Sequence, residues 1–230
     1  MLTQTTLRKI SSRQDLAREA QTGSRLASNP LKDSIELMGA PMQFSRNEEI
    51  YGESEPADYF YKLISGTVRT YKVLNDGRRQ IGAFYLAGDM FGLESGAEHT
   101  FSAEAITSAT VLVIKRSAVT ALAAHDNSVA RQLLAMTGNE LARVQNHIML
   151  LIKTAQERVA GFLLEMADRV PRHNEVELPM SRQDIADYLG LTIETVSRTL
   201  TQLEHSAAIA LPTSRRIVLR DRSALRQLNS

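Results

Sequence analysis

Residues 179–203, PMSRQDIADYLGLTIETVSRTLTQL, decide how the C-terminal part of the chain folds. Their pattern predicts two short helices that meet at Gly190. The apolar positions of both helices are spaced to pack together: Ile185, Ala186, Leu189, Leu191, Val196, Leu200 and Leu203. The opposite face of the second helix carries Glu194, Thr195, Ser197 and Arg198. This division is typical of a helix-turn-helix, in which one helix braces another that offers polar side chains to base-pair edges.

Composition places the chain among ordinary globular proteins. It has 230 residues, 43% apolar and 23% charged, which is enough for one large domain or two small ones. No stretch approaches the ~20 apolar residues of a membrane span. Residues 1–14 lack the apolar core of a secretory signal. We therefore expect a cytoplasmic protein that does not associate with membranes.

The distribution of charge favours a nucleic-acid partner more than its sum does. The net charge is only +1, which by itself argues weakly against one. Between residues 179 and 230, however, seven Arg residues stand against five acids. That excess of positive charge is enough to line one face of the C-terminal part of the chain.

Several kinds of chemistry have no residues to support them. The chain has no cysteine, which excludes disulfides, cysteine-ligated zinc and iron–sulfur clusters. The sequence contains no G-x-S-x-G, H-E-x-x-H or Walker motif, so we do not expect an enzyme. The histidines have no paired spacing, and we interpret them as ordinary surface or helix residues: His99, His125, His147, His173 and His205. No cofactor and no metal are expected.

The first half of the chain predicts an arm followed by a β-roll. Residues 1–28 are polar, with five basic and two acidic residues, and indicate a solvated arm with a short helix around Ser12–Ala20. Short alternating runs then fill residues 42–115, broken by turns such as Ser65-Gly66 and Asn75-Asp76-Gly77. Strands at ~8–12 residue spacing predict a jelly-roll-like domain, bounded at 29–124.

One long helix is predicted next, over residues 125–155. Apolar side chains recur on it at heptad spacing, at Leu134, Leu141, Val144, Ile148 and Leu151. Such a seam is typical of a helix that pairs with its own copy in a homodimer. A helix packed only on its own domain is the alternative.

Residues 156–230 predict a winged helix-turn-helix domain. An amphipathic helix over 156–170 is followed by a polar connection, PRHNEVELP, at 171–179. After the helix-turn-helix, short strands at 208–211 and 216–219 flank a turn and form the wing. Asp221 caps a last helix. The fold class is therefore α+β.

This order of parts resembles the CRP/FNR family of bacterial transcription regulators, over residues 29–230. The segment LGLTIETVSRTL, residues 189–200, carries the resemblance most specifically. Its Glu194, Ser197 and Arg198 match the Glu-x-x-Ser-Arg pattern of the FNR and FixK branch, whose FixK-type members regulate nitrogen fixation. The cyclic-AMP branch has Arg before the Glu and Gly before the last Arg, where this chain has Ile193 and Ser197.

The resemblance implies base readout by Glu194, Ser197 and Arg198. Arg can bind guanine O6 and N7 as a bidentate donor, and Glu can accept from cytosine N4. The Ser hydroxyl can form a hydrogen bond with a base or touch a thymine methyl group. The implied site is a TTGA-N6-TCAA-like palindrome, read by a homodimer in major grooves ~34 Å apart. The implied role is an activator that recruits RNA polymerase. The hairpin at 72–79 is a candidate polymerase surface, with an ordinary turn as the alternative.

Phosphate contacts are implied at helix starts and at the wing. The candidates are Ser181, Arg182, Gln183, Thr192, Thr195, Arg215 and Arg216. Ser181 is equally suited to a plain helix cap, and the wing arginines to solvated surface charge.

The predicted β-roll lacks the residues that grip a cyclic nucleotide in relatives. Gly92 is present, but Leu93 replaces the Glu that binds ribose. His99 and Thr100 stand near the phosphate position, where relatives have an Arg. We therefore expect no cyclic nucleotide and a regulator that needs no effector. A sensor whose roll binds an unidentified effector is the alternative.

Overall fold

The computed structural model describes residues 33–169 and 174–229. The predicted arm at 1–28, with its helix around Ser12–Ala20, lies outside the described residues, as does the end of the predicted helix near Pro171. The chain forms two compact units. Within the described residues, the first comprises 33–72 with 82–138, and the second comprises 73–81 with 139–169 and 174–229.

The first unit is the predicted β-roll, built from two four-stranded sheets with strand orders β1-β8-β3-β6 and β2-β7-β4-β5. Its strands are β1 (Gly39–Phe44), β2 (Glu49–Tyr51), β3 (Tyr59–Ser65), β4 (Thr67–Val73), β5 (Arg79–Leu86), β6 (Met90–Phe91), β7 (Ser102–Ala105) and β8 (Ala109–Lys115). The predicted turn at Ser65-Gly66 does separate two strands. It carries the chain from one sheet to the other, because β3 and β4 belong to different sheets.

Helices at both ends of the roll build a second core beside it. They are α1 (Asp33–Glu36), α2 (Arg116–Ala123) and the long α3 (Asn127–Leu151). Ile35, Val119 and Val129 are buried there with Phe60 and Ile114. The sequence pattern predicted α3 but neither α1 nor α2, since both are shorter than three turns.

The second unit holds the predicted winged helix-turn-helix. Its elements are α4 (Ala155–Arg169), β9 (Glu175–Glu177), α5 (Arg182–Leu189), α6 (Ile193–His205), β10 (Ile209–Ala210), β11 (Arg216–Leu219) and α7 (Arg222–Leu228). Asp221 caps α7, as predicted, by accepting the backbone N–H of Ala224 at 2.9 Å. The architecture confirms the predicted α+β class.

The prediction of a merely polar connection at 171–179 is wrong. Residues 175–177 form β9, which completes a three-stranded sheet of order β10-β11-β9. Val176 is fully buried opposite Ile217. A strand with one inward side chain between two glutamates has too little alternation to be recognised from the sequence.

Among the residues that the structure describes, no helix has the length and apolarity that a membrane crossing requires.

Candidate nucleic-acid interface

Helix α6 presents one polar face to solvent and buries the other. Val196, Leu200 and Leu203 are buried beneath it. Glu194 and Arg198 are exposed, and Ser197 is half-buried. Because these three positions are spaced by three and four residues, they share one face. The structure therefore brings the predicted base-reading residues together.

The amino end of α6 is closed by threonine hydroxyls. Thr192 accepts the backbone N–H of Thr195 at 3.2 Å, and its Oγ1 lies 3.1 Å from the hydroxyl of Thr195. The two predicted phosphate ligands thus meet at the start of the helix, where free N–H groups and the helix dipole favour an anion.

Helix α5 begins with a reciprocal capping box. The Asp184 backbone N–H donates to Ser181 Oγ at 3.1 Å, and the Ser181 N–H donates to Asp184 Oδ2 at 2.9 Å. Ser181 therefore fills its alternative role as a cap, which saturates N–H groups of the first turn. Arg182 and Gln183 follow within that turn, with Gln183 exposed.

Three side chains outside the motif hold the turn between α5 and α6. Gly190 ends α5 with a left-handed φ of 62°. The Nη1 of Arg158 donates to the carbonyl of Leu189 at 2.8 Å, and His147 Nε2 donates to that of Tyr188 at 2.8 Å. Gln80 Nε2 reaches the same Tyr188 carbonyl at 3.4 Å. They satisfy carbonyls that a helix end leaves without partners.

Sequence reasoning missed Arg158 and Gln80 because neither lies in the motif. It interpreted His147 as a partly solvated residue of the long helix. The ring is half-buried, which agrees with that interpretation, and it is stacked on Tyr188 with centroids 3.9 Å apart. Burial lowers the pKa of His147, against an opposing effect of its hydrogen bond to the Tyr188 carbonyl.

The wing places its two arginines differently. Arg216 forms an ion pair with Glu175 on β9. Arg215 is exposed at the turn, where Thr213 Oγ1 accepts the backbone N–H groups of Arg215 at 3.3 Å and of Arg216 at 3.0 Å. The shared threonine fixes the turn. Both arginines are exposed, and Arg216 differs in its ion pair with Glu175.

Helix α3 carries the predicted seam as an uncovered apolar stripe. Leu134, Leu141, Val144 and Ile148 are 74%, 57%, 46% and 56% exposed. Leu151 is half-buried. Large apolar side chains that recur along one exposed helix face mark a surface suited to a partner.

The interior of the β-roll is packed with rings. Tyr51 stacks on His99 at 3.6 Å between centroids, and Tyr61 on Phe91 at 5.2 Å. His99 is only 2% exposed, so its interpretation as a surface or helix residue is wrong. Its Nδ1 lies 3.2 Å from a carboxylate oxygen of Glu94. The side chains that bury His99 come from separate strands, so no pattern around residue 99 in the sequence indicated that its ring would point inward.

The loop around Gly92 and Leu93, which corresponds to the nucleotide-binding loop of relatives, packs against the hydrophobic core. Gly92 has φ 72°, and a Cβ there would lie 2.6 Å from Tyr61. Leu93 packs into the second core, beside α1 and α2. Arg116 donates to the carbonyls of Ser95 at 3.1 Å and Gly96 at 2.8 Å, which holds the following turn.

Comparisons with known proteins agree with this architecture. The cyclic nucleotide-binding domain family matches residues 41–126, and the Crp-like helix-turn-helix domain family matches residues 157–228. The nitrogen fixation regulation protein FixK of Azorhizobium caulinodans is 52% identical over 202 residues, covering 85% of this chain and 82% of that protein. FixK of Rhizobium meliloti is 41% identical and covers 86% and 95%.

A solved structure extends the agreement to three dimensions. The structure of FixK2 from Bradyrhizobium japonicum superposes with a TM-score of 0.81 at 52% identity, covering 84% of this chain and 98% of that one. Both FixK relatives are named as nitrogen fixation regulation proteins. The chain therefore belongs to the CRP/FNR family and is a DNA-binding transcription regulator of the FixK type, as its recognition segment predicted.

Proposed function

We propose that this regulator binds a TTGA-N6-TCAA-like palindrome as a homodimer, activates transcription through RNA polymerase, and needs no small-molecule effector. The observation that carries the proposal is the polar face of α6. Glu194, Ser197 and Arg198 lie together there on a helix whose other side is buried. DNA as the ligand places the proposed site of action in the cytoplasm.

In this proposal Arg198 reads guanine, Glu194 accepts from cytosine N4, and Ser197 contacts a neighbouring base. Each good bidentate contact contributes roughly 1–3 kcal/mol of discrimination. The phosphate contacts come from both helix starts and the wing: Ser181, Arg182, Gln183, Thr192, Thr195 and Arg215. Arg216 is the weakest of the proposed contacts, because Glu175 competes with DNA for its guanidinium.

The proposed dimer forms along α3. Heptad spacing places Leu134, Leu141 and Ile148 in one row, with Val144 and Leu151 in the adjacent row. Covering this stripe with a second copy removes several exposed apolar side chains from water. A two-fold axis along α3 also matches the two-fold symmetry of a palindrome.

Independence from an effector is proposed on the packing of the β-roll. Tyr51, Tyr61, Phe91 and His99 contact one another in its interior. Leu93, at the position of the ribose-binding Glu of relatives, points into a different core. A nucleotide would have to displace these rings, and aromatic core packing is costly to disrupt.

We propose that the hairpin at 72–79 contacts RNA polymerase. Fewer of its side chains are available for this contact than the sequence indicated. Lys72 pairs with Glu53 at 2.6 Å, and Arg79 is held by two aspartates. Arg78 is 77% exposed and lies beside Asp76. The tip around Asp76 and Arg78 is therefore the accessible part.

One experiment tests site, symmetry and effector together. The purified protein, with nothing added, is used to select bound duplexes from a random DNA pool. We expect an inverted repeat of TTGA half-sites with nanomolar affinity. Selection of no consensus, or of a consensus only after a cell extract or nucleotide is added, would contradict effector-free recognition and favour the ligand-gated alternative.

A further inference from the structure

Arg79, the first residue of β5, binds the first helix of the helix-turn-helix. Its Nη2 lies 2.6 Å from Asp184 Oδ1 and 2.8 Å from Asp187 Oδ2. Its Nε donates to Asp187 Oδ2 at 2.9 Å. One guanidinium therefore spans two carboxylates of α5 that lie about one turn apart. Both carboxylates are mostly shielded from solvent, with side-chain exposures of 4% and 12%.

Asp184 lies in the first turn of α5, at the end that is proposed to face DNA, and Asp187 lies about one turn further along. Asp184 Oδ2 accepts from both the N–H and the hydroxyl of Ser181, at 2.9 and 2.8 Å. Asp187 Oδ1 accepts from Gln183 Nε2 at 2.6 Å. Ser181 and Gln183 are two of the proposed phosphate contacts. Each of them therefore already donates a hydrogen bond to a negatively charged carboxylate.

The charge of α5 itself is unfavourable for a phosphate. The helix carries one Arg and two Asp, a formal charge of −1. A carboxylate bonded to the capping residue places negative charge where the helix N-terminus would otherwise attract an anion. Low solvent exposure reduces the screening of that charge. A cation held against both carboxylates brings the formal charge of the helix to zero.

We infer that Arg79 is a positioning residue for DNA binding: it offsets the charge of Asp184 and Asp187 so that the amino end of α5 can approach the phosphate backbone. The inference rests on the proposed phosphate contacts of α5. It assigns Arg79 an electrostatic role without contact with a base, so its effect on affinity is independent of DNA sequence.

The neighbouring residue provides a matched control. Arg78 has the same charge, but its Nε donates to Asp76 Oδ2 at 2.8 Å within the hairpin turn, and both side chains are exposed. Arg78→Gln and Arg79→Gln change the net charge of the chain equally. Only Arg79→Gln removes a cation that contacts α5.

The test measures binding of four variants to two fluorescent duplexes by anisotropy at 0.1 M salt. The variants are Arg78→Gln, Arg79→Gln, Asp187→Asn and the Arg79→Gln/Asp187→Asn pair, each checked for folding by circular dichroism. One duplex contains TTGA-N6-TCAA and the other a scrambled site. We expect Arg79→Gln to weaken binding to both duplexes by about fivefold, with their ratio unchanged, and Arg78→Gln to have less than half that effect. The pair should regain most of the loss.

Asp187→Asn separates an electrostatic role from a structural one. It removes one of the two ion pairs of Arg79 and leaves the one with Asp184. Because it also removes a negative charge, we expect affinity equal to or tighter than wild type. If Asp187→Asn weakens binding as much as Arg79→Gln does, or if the two arginine variants behave alike, the inference is wrong. Failure of the wild type to prefer the palindrome would instead contradict the proposed site, while the scrambled duplex would still report on Arg79.

Discussion

At the scale of single residues, the polar face of α6 depends on which side of the helix each side chain occupies. Glu194 and Arg198 stand clear of the core because Val196 and Leu200 occupy the buried side of α6. Helical periodicity in the sequence was enough to predict that arrangement. Arg79, Arg158 and His147 were beyond prediction in their supporting roles, because they come from distant segments and no local pattern links them to α5.

Arg198→Ala should cost roughly 1–3 kcal/mol of binding free energy and relax the choice of one base per half-site. The loss arises from the bidentate contact that guanine would no longer receive. Competition between single-base variants of the palindrome measures it. Arg215→Ala is the control, since a phosphate contact at the wing should weaken all sequences equally. Unchanged preference at every position in Arg198→Ala would show that another residue reads the guanine.

His147 should make stability depend on pH. Burial holds its pKa below the ordinary value of 6.5 in the folded chain. Above 6.5 both states are neutral, and its contribution to the free energy of unfolding is fully present. As pH falls below 6.5 toward the folded pKa, the unfolded chain takes up the proton first and stability is lost. Denaturant unfolding between pH 7.5 and 5 should show a flatter profile for His147→Gln than for wild type. The exposed His205→Gln controls for loss of a histidine, and equal slopes in wild type and His147→Gln would contradict the assignment.

At the scale of elements, long or strongly patterned segments were predictable and short ones were not. The heptads predicted α3, and the capping and apolar positions predicted α5 and α6. β9 has three residues and α1 has four, so neither repeats its period often enough to be recognised. The pairing of β3 and β4 with different sheets also lay beyond sequence reasoning, because an alternating pattern shows which face is buried but not which neighbour a strand finds.

Leu141→Glu or Ile148→Glu should disrupt the proposed dimer. Either change would place a charge in the seam at both copies, and burying an unpaired charge is strongly unfavourable. We expect dimer dissociation to be favoured at least about 100-fold, measured by sedimentation equilibrium. Asn139→Glu puts the same charge on an exposed position away from the seam and should leave the dimer intact. A Leu141→Glu protein that remains fully dimeric would place the interface elsewhere.

Gly92→Ala should destabilise the β-roll by about 2–4 kcal/mol, through a left-handed φ and a clash with Tyr61. Gly88→Ala isolates the first cause, because Gly88 has φ 98° but a Cβ added there would have no neighbouring atom within 4 Å. It should cost only about 1 kcal/mol. Thermal unfolding of both variants gives the comparison. Similar losses in the two would mean that Tyr61 yields and the loop is not rigidly committed to the core.

At the scale of the whole molecule, the β-roll has the fold of a cyclic nucleotide-binding domain, and aromatic side chains fill its interior. The cyclic nucleotide-binding domain family matches residues 41–126, yet Tyr51, Tyr61 and His99 pack against one another inside that domain. The fold was predictable from strand spacing, turn residues and heptads. The filling of the roll was not, because it depends on side chains from separate strands converging on one point.

The exposed seam of α3 has a consequence for dosage. In the proposed homodimer, two copies must associate before a palindrome is bound. Below the dimer dissociation constant, the concentration of dimer therefore rises with the square of the concentration of free chain. A twofold change in synthesis or degradation would then change occupancy about fourfold. If the regulator needs no effector, as proposed, its own abundance sets a steep threshold, and the apolar stripe from Leu134 to Leu151 sets where that threshold falls.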